Sequence, residues 1–147
     1  MSRCLLALLL AVPWLGACTR KTSDRDLQWV TPYQAIERIN QAPDLLGESP
    51  RSVWVDPRTP VHFAQGHVPG AISLPFPSMT AEAETRLAGY DMFFVYGTSW
   101  EDTISKAASK RLLELGFDHV YTLEGGLAAW KKDGNPVETG VPAPTAP

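Results

Sequence analysis

The chain has 147 residues, 44% hydrophobic and 20% charged, which suits one globular domain, is too short for two comfortable ones and excludes wholesale disorder. Its formal charge of -3, with no run of Lys and Arg, argues against a nucleic-acid binder, which carries a basic face.

Met1-Ser2-Arg3 supplies one positive charge, and Cys4 to Ala17 is almost purely apolar. That run is shorter than the roughly 20 residues a spanning helix needs, and Pro13 interrupts it. It reads as the apolar core of a signal peptide, residues 1–17. Residues 18–28 are polar and read as a tether. A domain over residues 29–137 follows, and residues 138–147 form a Pro/Ala/Thr-rich tail expected to be extended or disordered.

Within the domain, Thr31-Pro32 predicts a helix start, with Thr31 as cap and Pro32 in the first turn. The helix runs to about Asn40 and places Ala35, Ile36 and Ile39 on one face. A loop with Pro43, Gly47 and Pro50 leads to a strand over Ser52–Asp56, whose Val-Trp-Val run suits burial on both faces. Thr59-Pro60 opens a short helix closed by Gly66. A short strand spans Ala71 to Leu74, a polar helix Thr80 to Ala88, and a strand Met92 to Tyr96. A longer helix from Thr103 to Leu115 carries Ile104, Ala107, Ala108, Leu112 and Leu115 at helical spacing, and Gly116 ends it. A strand from His119 to Leu123 and a helix from Gly125 to Lys132, ended by Gly134, complete the chain. Strands alternating with helices predict an α/β domain with a parallel sheet covered on both faces. Trp29, Trp54 and Trp130 are expected in its core.

Leu15-Gly16-Ala17-Cys18 resembles the bacterial lipobox, in which small residues precede a cysteine that becomes the lipidated N-terminus. The resemblance implies a lipoprotein anchored through Cys18. Thr19, rather than Asp, after that cysteine is similar to lipoproteins sorted to the outer membrane, facing the periplasm. The alternatives are a plain signal peptide with an incidental cysteine, or an uncleaved anchor. The chain has 2 cysteines, Cys4 and Cys18, so the domain itself has no thiol, disulfide or thiolate metal site. Cleavage after residue 17 leaves 12 basic against 16 acidic residues, a charge of -4.

Three segments carry a family likeness. Val55-Asp56-Pro57-Arg58 is followed by Gly66-His67-Val68-Pro69-Gly70-Ala71; Met92 to Tyr96 runs into Gly97-Thr98-Ser99-Trp100-Glu101-Asp102-Thr103; and Leu123-Glu124-Gly125-Gly126-Leu127 precedes Trp130 and Gly134-Asn135-Pro136-Val137. In this order and spacing they resemble the rhodanese (sulfurtransferase) domain, over about Leu27 to Val137. The family's catalytic cysteine opens the loop after the central strand, and Gly97 stands at that position. Active members hold a thiolate and persulfide on loop N–H groups and a helix N-terminus. Gly97 supplies backbone but no sulfur.

The rest of the loop departs from the family too. Trp100 replaces a common Gly, and Asp102 stands where Arg is common. Thr103, or Ser105 if the loop is longer, would match the helix-capping hydroxyl. Glu101 and Asp102 place two carboxylates at the mouth, each costing an incoming anion on the order of 1 kcal/mol at surface dielectric. Their bland role is to match the helix dipole; their sharper one is to bind a cationic group. Trp100 is either a plug in the vacated site or an exposed contact residue. Asp56 and Arg58 read as an internal ion pair supporting the pocket, and His67 as a turn-ordering residue. Thr98 and Ser99 are alcohols that need a neighbouring general base. His62 and His119 form no sequence pair that would hold a metal.

The reading implies a non-catalytic rhodanese-like module on a bacterial membrane, binding an unidentified protein or small ligand, with no cofactor, metal or nucleic acid. The alternative is an enzyme of sulfurtransferase lineage working through a hydroxyl or a partner's thiol. A phosphatase of the dual-specificity type, which shares the topology, also needs a cysteine.

Overall fold

The computed structural model describes residues 21–41 and 49–141. Cys18 and the signal segment lie outside the described residues. Five strands form one parallel sheet: β1 (Gln28–Val30), β2 (Ser52–Asp56), β3 (Ile72–Ser73), β4 (Met92–Val95) and β5 (Val120–Leu123). Their order across the sheet is β1-β5-β4-β2-β3, so β4 is central. The helices are α1 (Pro32–Ile39), α2 (Pro60–Gln65), α3 (Met79–Arg86), α4 (Ile104–Glu114) and α5 (Gly126–Lys132).

The alternation of side chains along each strand divides the core in two. On one face Trp54, Phe94, Tyr121 and Leu123 pack with Ala35 of α1 and Leu127 and Trp130 of α5. On the other, Val53, Val55, Phe93, Val95 and Val120 pack with Met79 and Ala83 of α3 and Ala108 and Leu112 of α4. The expected α/β domain with helices on both faces is therefore the fold. Trp54 and Trp130 meet edge to face at 5.0 Å and are core as expected.

Thr31 caps α1 by accepting from the Gln34 N–H, and the Gln34 side chain accepts in turn from the Thr31 N–H, with Pro32 in the first turn. Gly116, at φ 90°, ends α4.

Several expectations need correction. β1 was not foreseen, because three residues are too few to show a period; Trp29 on it is 39% exposed, not core. In α4 the buried face is Ser105, Ala108, Ser109 and Leu112, with two serines among the small residues that approach the sheet. Leu115 falls outside it and is exposed. The polar stretch before residue 29 is held on the domain from Thr22 onward. Thr22 donates to Glu114, Asp24 pairs with Lys110 at 2.7 Å, and Leu27 is buried. The tail is docked through Gly140: Glu138 exchanges backbone hydrogen bonds with His67, and the Gly140 N–H donates to Ala64.

Candidate functional site

Because all five strands are parallel, the C-terminal ends of β2, β4 and β5 open on one edge of the sheet, where α/β folds place their ligands. The loop Tyr96–Thr103 leaves β4 there, between the end of β2 on one side and the start of α5 on the other.

The loop is fixed from α5. The Leu127 and Ala128 N–H groups donate to the Gly97 and Thr98 carbonyls at 2.9 and 3.0 Å. This approach demands glycine at 126, where φ is 56° and a Cβ would lie 2.5 Å from the Gly97 oxygen. The family-like Gly125-Gly126 pair thus seats the loop against the helix.

Asp102 organises the inside of the loop. One carboxylate oxygen accepts from the Thr98 N–H at 2.7 Å, the other from the Ile104 N–H, the first of α4, at 2.8 Å. Burial works against its charge, but the two backbone donors, with a smaller contribution from Arg58, hold its carboxyl below the usual range. Asp102 therefore does not stand at the mouth as a free charge; it turns inward and caps α4. Thr103, expected to cap, makes no side-chain cap hydrogen bond and is exposed, and Ser105 is buried within the helix. A Cβ built at Gly97 would sit 3.0 Å from the Asp102 carboxylate. Gly97 is buried and its φ is ordinary, so the neighbouring carboxylate, not backbone strain, is what the absence of a side chain accommodates.

Glu101 stays outside and accepts from the Ser99 hydroxyl at 2.9 Å. Trp100 is 66% exposed, so it does not plug the site. Its indole lies against Gly125, where a Cβ would come within 2.7 Å of Nε1.

Below the loop, Asp56 and Arg58 are buried together as a bidentate pair with contacts of 2.9 and 2.5 Å. Arg58 also donates to the Gly66 carbonyl at 2.8 Å and lies over the Tyr96 ring. Burial disfavours the guanidinium charge, but Asp56 outweighs this and raises its affinity for the proton. The Tyr96 hydroxyl accepts from the Val68 N–H, and burial first, then the Asp56 charge, pushes its proton affinity up. Asp56 is taken up by Arg58, while Arg58 uses Nε and Nη2 for Asp56 and Gly66 and leaves Nη1 without a hydrogen bond among the described residues. His67 donates from Nδ1 to the Phe63 carbonyl, 2.9 Å away, and stacks on the Phe63 ring, which is the ordering role expected of it. His62 contacts only Thr59 by hydrogen bond among the described residues, and His119 is an exposed residue at φ 52° just before β5.

Two clefts flank the loop. The first, of about 490 Å³, is walled by Pro57, Pro60, Pro75, Phe76 and Pro77, with Arg58, Thr98 and Asp102 toward the loop. The second, of about 280 Å³, lies on the other side between Trp29 and Trp100. Sequence reasoning missed both. The Pro75-Phe76-Pro77 triplet was the signal for the first; nothing local signalled that Trp29 would meet Trp100. Among the described residues no group of three or more His, Cys, Asp or Glu is placed to hold a metal.

The single parallel sheet, the strand order and the loop at the central strand define an α/β domain with a site at the carboxyl edge. The rhodanese-like domain family matches residues 36–133, and the chain belongs to that family. An uncharacterized protein of Buchnera aphidicola, BU052, is 29% identical over 108 residues, 74% of this chain and 69% of that protein. The Alr3790 protein of Anabaena sp., whose rhodanese-like domain has also been solved separately, is similar at 31% identity and a TM-score of 0.63, over 76% of this chain and 80% of that one. A Rhodopseudomonas palustris protein of unknown function, RPA3614, described as a possible tyrosine phosphatase, shares the fold at 23% identity and a TM-score of 0.62, over 78% of this chain and 87% of that one. The folded unit reaches beyond the matched residues at both ends, through β1 and through Gly140.

Proposed function

We propose that this chain is a rhodanese-like module that binds a partner without transferring sulfur, held on a bacterial membrane through Cys18. The observation that carries the reading is the position of Asp102. In a catalytic member the loop amides and the helix N-terminus would hold a thiolate and its persulfide. Here two amides at that place, from Thr98 and Ile104, are occupied by a carboxylate of the chain itself. Gly97 provides no nucleophile, and the carboxylate lies where a side chain at 97 would begin. A permanent internal anion gives the loop its structure and repels an anionic sulfur donor. The hydroxyl alternative has one contact in its favour, the Ser99–Glu101 hydrogen bond. Glu101 is exposed and nothing else among the described residues orients it, so Ser99 lacks the held base that an activated alcohol needs.

The test is thiosulfate:cyanide sulfur transfer by the purified full-length protein in detergent, followed as thiocyanate. The expected rate equals that of a heat-inactivated control. Turnover that survives further purification and is lost in Ser99→Ala would establish the hydroxyl enzyme instead.

A further inference from the structure

The cleft between Trp29 and Trp100 lies beside the loop and shares Asp102 with the loop's interior. Trp29 comes from the edge strand β1 and Trp100 from the loop after β4, so sequence positions 71 apart supply two partly exposed indoles to one opening of about 280 Å³. Ser99, Asp102, Ser105, Lys106, Leu123, Glu124 and Gly125 complete its lining. Two large exposed aromatics at one opening make an apolar patch of the kind that marks a contact site, and Trp100 is pre-positioned by its packing on Gly125. Ser105 adds a second sign. It is 4% exposed as a residue yet lines the cleft, and its hydroxyl is not among the buried unpartnered atoms, so the oxygen is open to the cleft and free to accept from a ligand there.

The chemistry of the opening selects by charge. Indole faces attract cations through the ring quadrupole. The lining carries the carboxylates of Glu124 and Asp102, with Glu101 adjacent in the loop, against one cation, Lys106. Lys106 already displays the mode, its ammonium lying 5.7 Å from the centre of the Trp29 ring. We propose that this cleft binds an organic cation, an alkylammonium or guanidinium head, over the indole of Trp100 with Glu124 as counter-charge and the Ser105 hydroxyl as acceptor. This deepens the binding reading by naming the ligand class. It does not depend on the absence of sulfur transfer, since the cleft lies on the opposite side of the loop from Arg58.

The experiment follows the indole N–H signals of the full-length protein by NMR in a polyoxyethylene detergent, which has neither a cation nor a sugar. Choline is titrated beside its neutral isostere 3,3-dimethylbutanol, and a blocked Gly-Lys-Gly peptide tests whether the head is taken free or on a side chain. Choline or the peptide should shift the Trp29 and Trp100 signals, and the neutral isostere should shift them several-fold less. Trp100→Ala should weaken binding about twofold to fivefold, the range of an exposed cation–π contact. Lys106→Gln should tighten it, because it removes a like charge and clears the Trp29 face. Equal shifts from the neutral isostere, weaker binding in Lys106→Gln, or shifts with N-acetylglucosamine and none with either cation would overturn the assignment. Circular dichroism of each variant against the parent separates lost binding from lost fold, and Lys106→Gln, at a partly exposed position on α4, keeps the sign of the effect readable if Trp100→Ala fails to fold.

Discussion

Asp102 decides what position 97 can do. A thiol introduced there by Gly97→Cys would begin 3.0 Å from a carboxylate held ionised by two backbone donors. Like charges at that range disfavour the thiolate, so the introduced thiol should titrate above the ordinary value of about 8.5. Adding Asp102→Ser removes the charge and leaves a hydroxyl able to cap Ile104. The loop amides and the α4 N-terminus then face the sulfur, and its titration should fall below that value. Alkylation rate against pH reads both variants. If the single variant already titrates low, Asp102 does not fill the cradle. Because Trp100 lies out in the second cleft, Trp100→Gly should add little to the double variant. Asp102→Ala in the otherwise unchanged chain should cost about 1 kcal/mol, as for a lost helix cap, in urea denaturation at neutral pH. The carboxyl is held below its unfolded value, so its contribution is present above that value and is lost as pH falls through the folded one. Parent and variant should therefore converge in stability toward strongly acidic pH. A gap that persists there would show that the role is packing rather than charge.

Among the helices and strands, the junction of α5 with the loop is where the fold is least tolerant. Gly126→Ala would place a methyl group 2.5 Å from the Gly97 carbonyl oxygen, at a φ of 56° that L side chains avoid. The loop carbonyls would then lose the Leu127 and Ala128 donors. A loss of at least about 1–2 kcal/mol follows from the backbone alone, measured as a lowered midpoint of urea unfolding. Gly134→Ala, also at positive φ but with nothing within 4 Å of the added methyl, should cost less; equal losses would mean that close approach of the loop plays no part. The helices and inner strands were legible in the sequence because their signals are local: Thr31-Pro32, Thr59-Pro60, the Val53-Trp54-Val55 run, and glycines at 116 and 134. β1 was not, since Gln28–Val30 has no period to read and owes its place to pairing with β5. The buried face of α4 was misjudged by letting Leu115 outweigh Ser109, whose hydroxyl accepts from Thr122 of β5 beneath the helix. Of the site, the loop and the Asp56–Arg58 pair were visible as motifs. The inward turn of Asp102 and the meeting of Trp29 with Trp100 were not, because they arise from loop geometry and from strands distant in sequence.

For the domain as one body, the attachment of the polar N-terminal stretch gives the proposed anchor a direction. α4 runs antiparallel to the strands, so its start lies at the site edge of the sheet and its end at the opposite edge, about 16 Å away for 11 residues. Thr22 and Asp24 are bound near that far end, on Glu114 and Lys110. Four residue steps separate Cys18 from Thr22, spanning at most about 14 Å when fully extended. With acyl chains on Cys18, the far edge is held near the bilayer and the site edge faces water, where a partner in solution can reach it. Cys18→Ser should first move the protein out of the membrane fraction, because the apolar run before it is too short to span and acyl chains supply stable anchoring. In the anchored protein, fluorophores attached through Asp118→Cys, beyond the end of α4, and through Glu101→Cys, on the loop, should report the two edges. Spin-labelled lipid headgroups should quench the first strongly and the second weakly. Equal quenching, or the reverse order, would mean that the contacts of Thr22 and Asp24 with α4 do not set how the domain sits on the membrane.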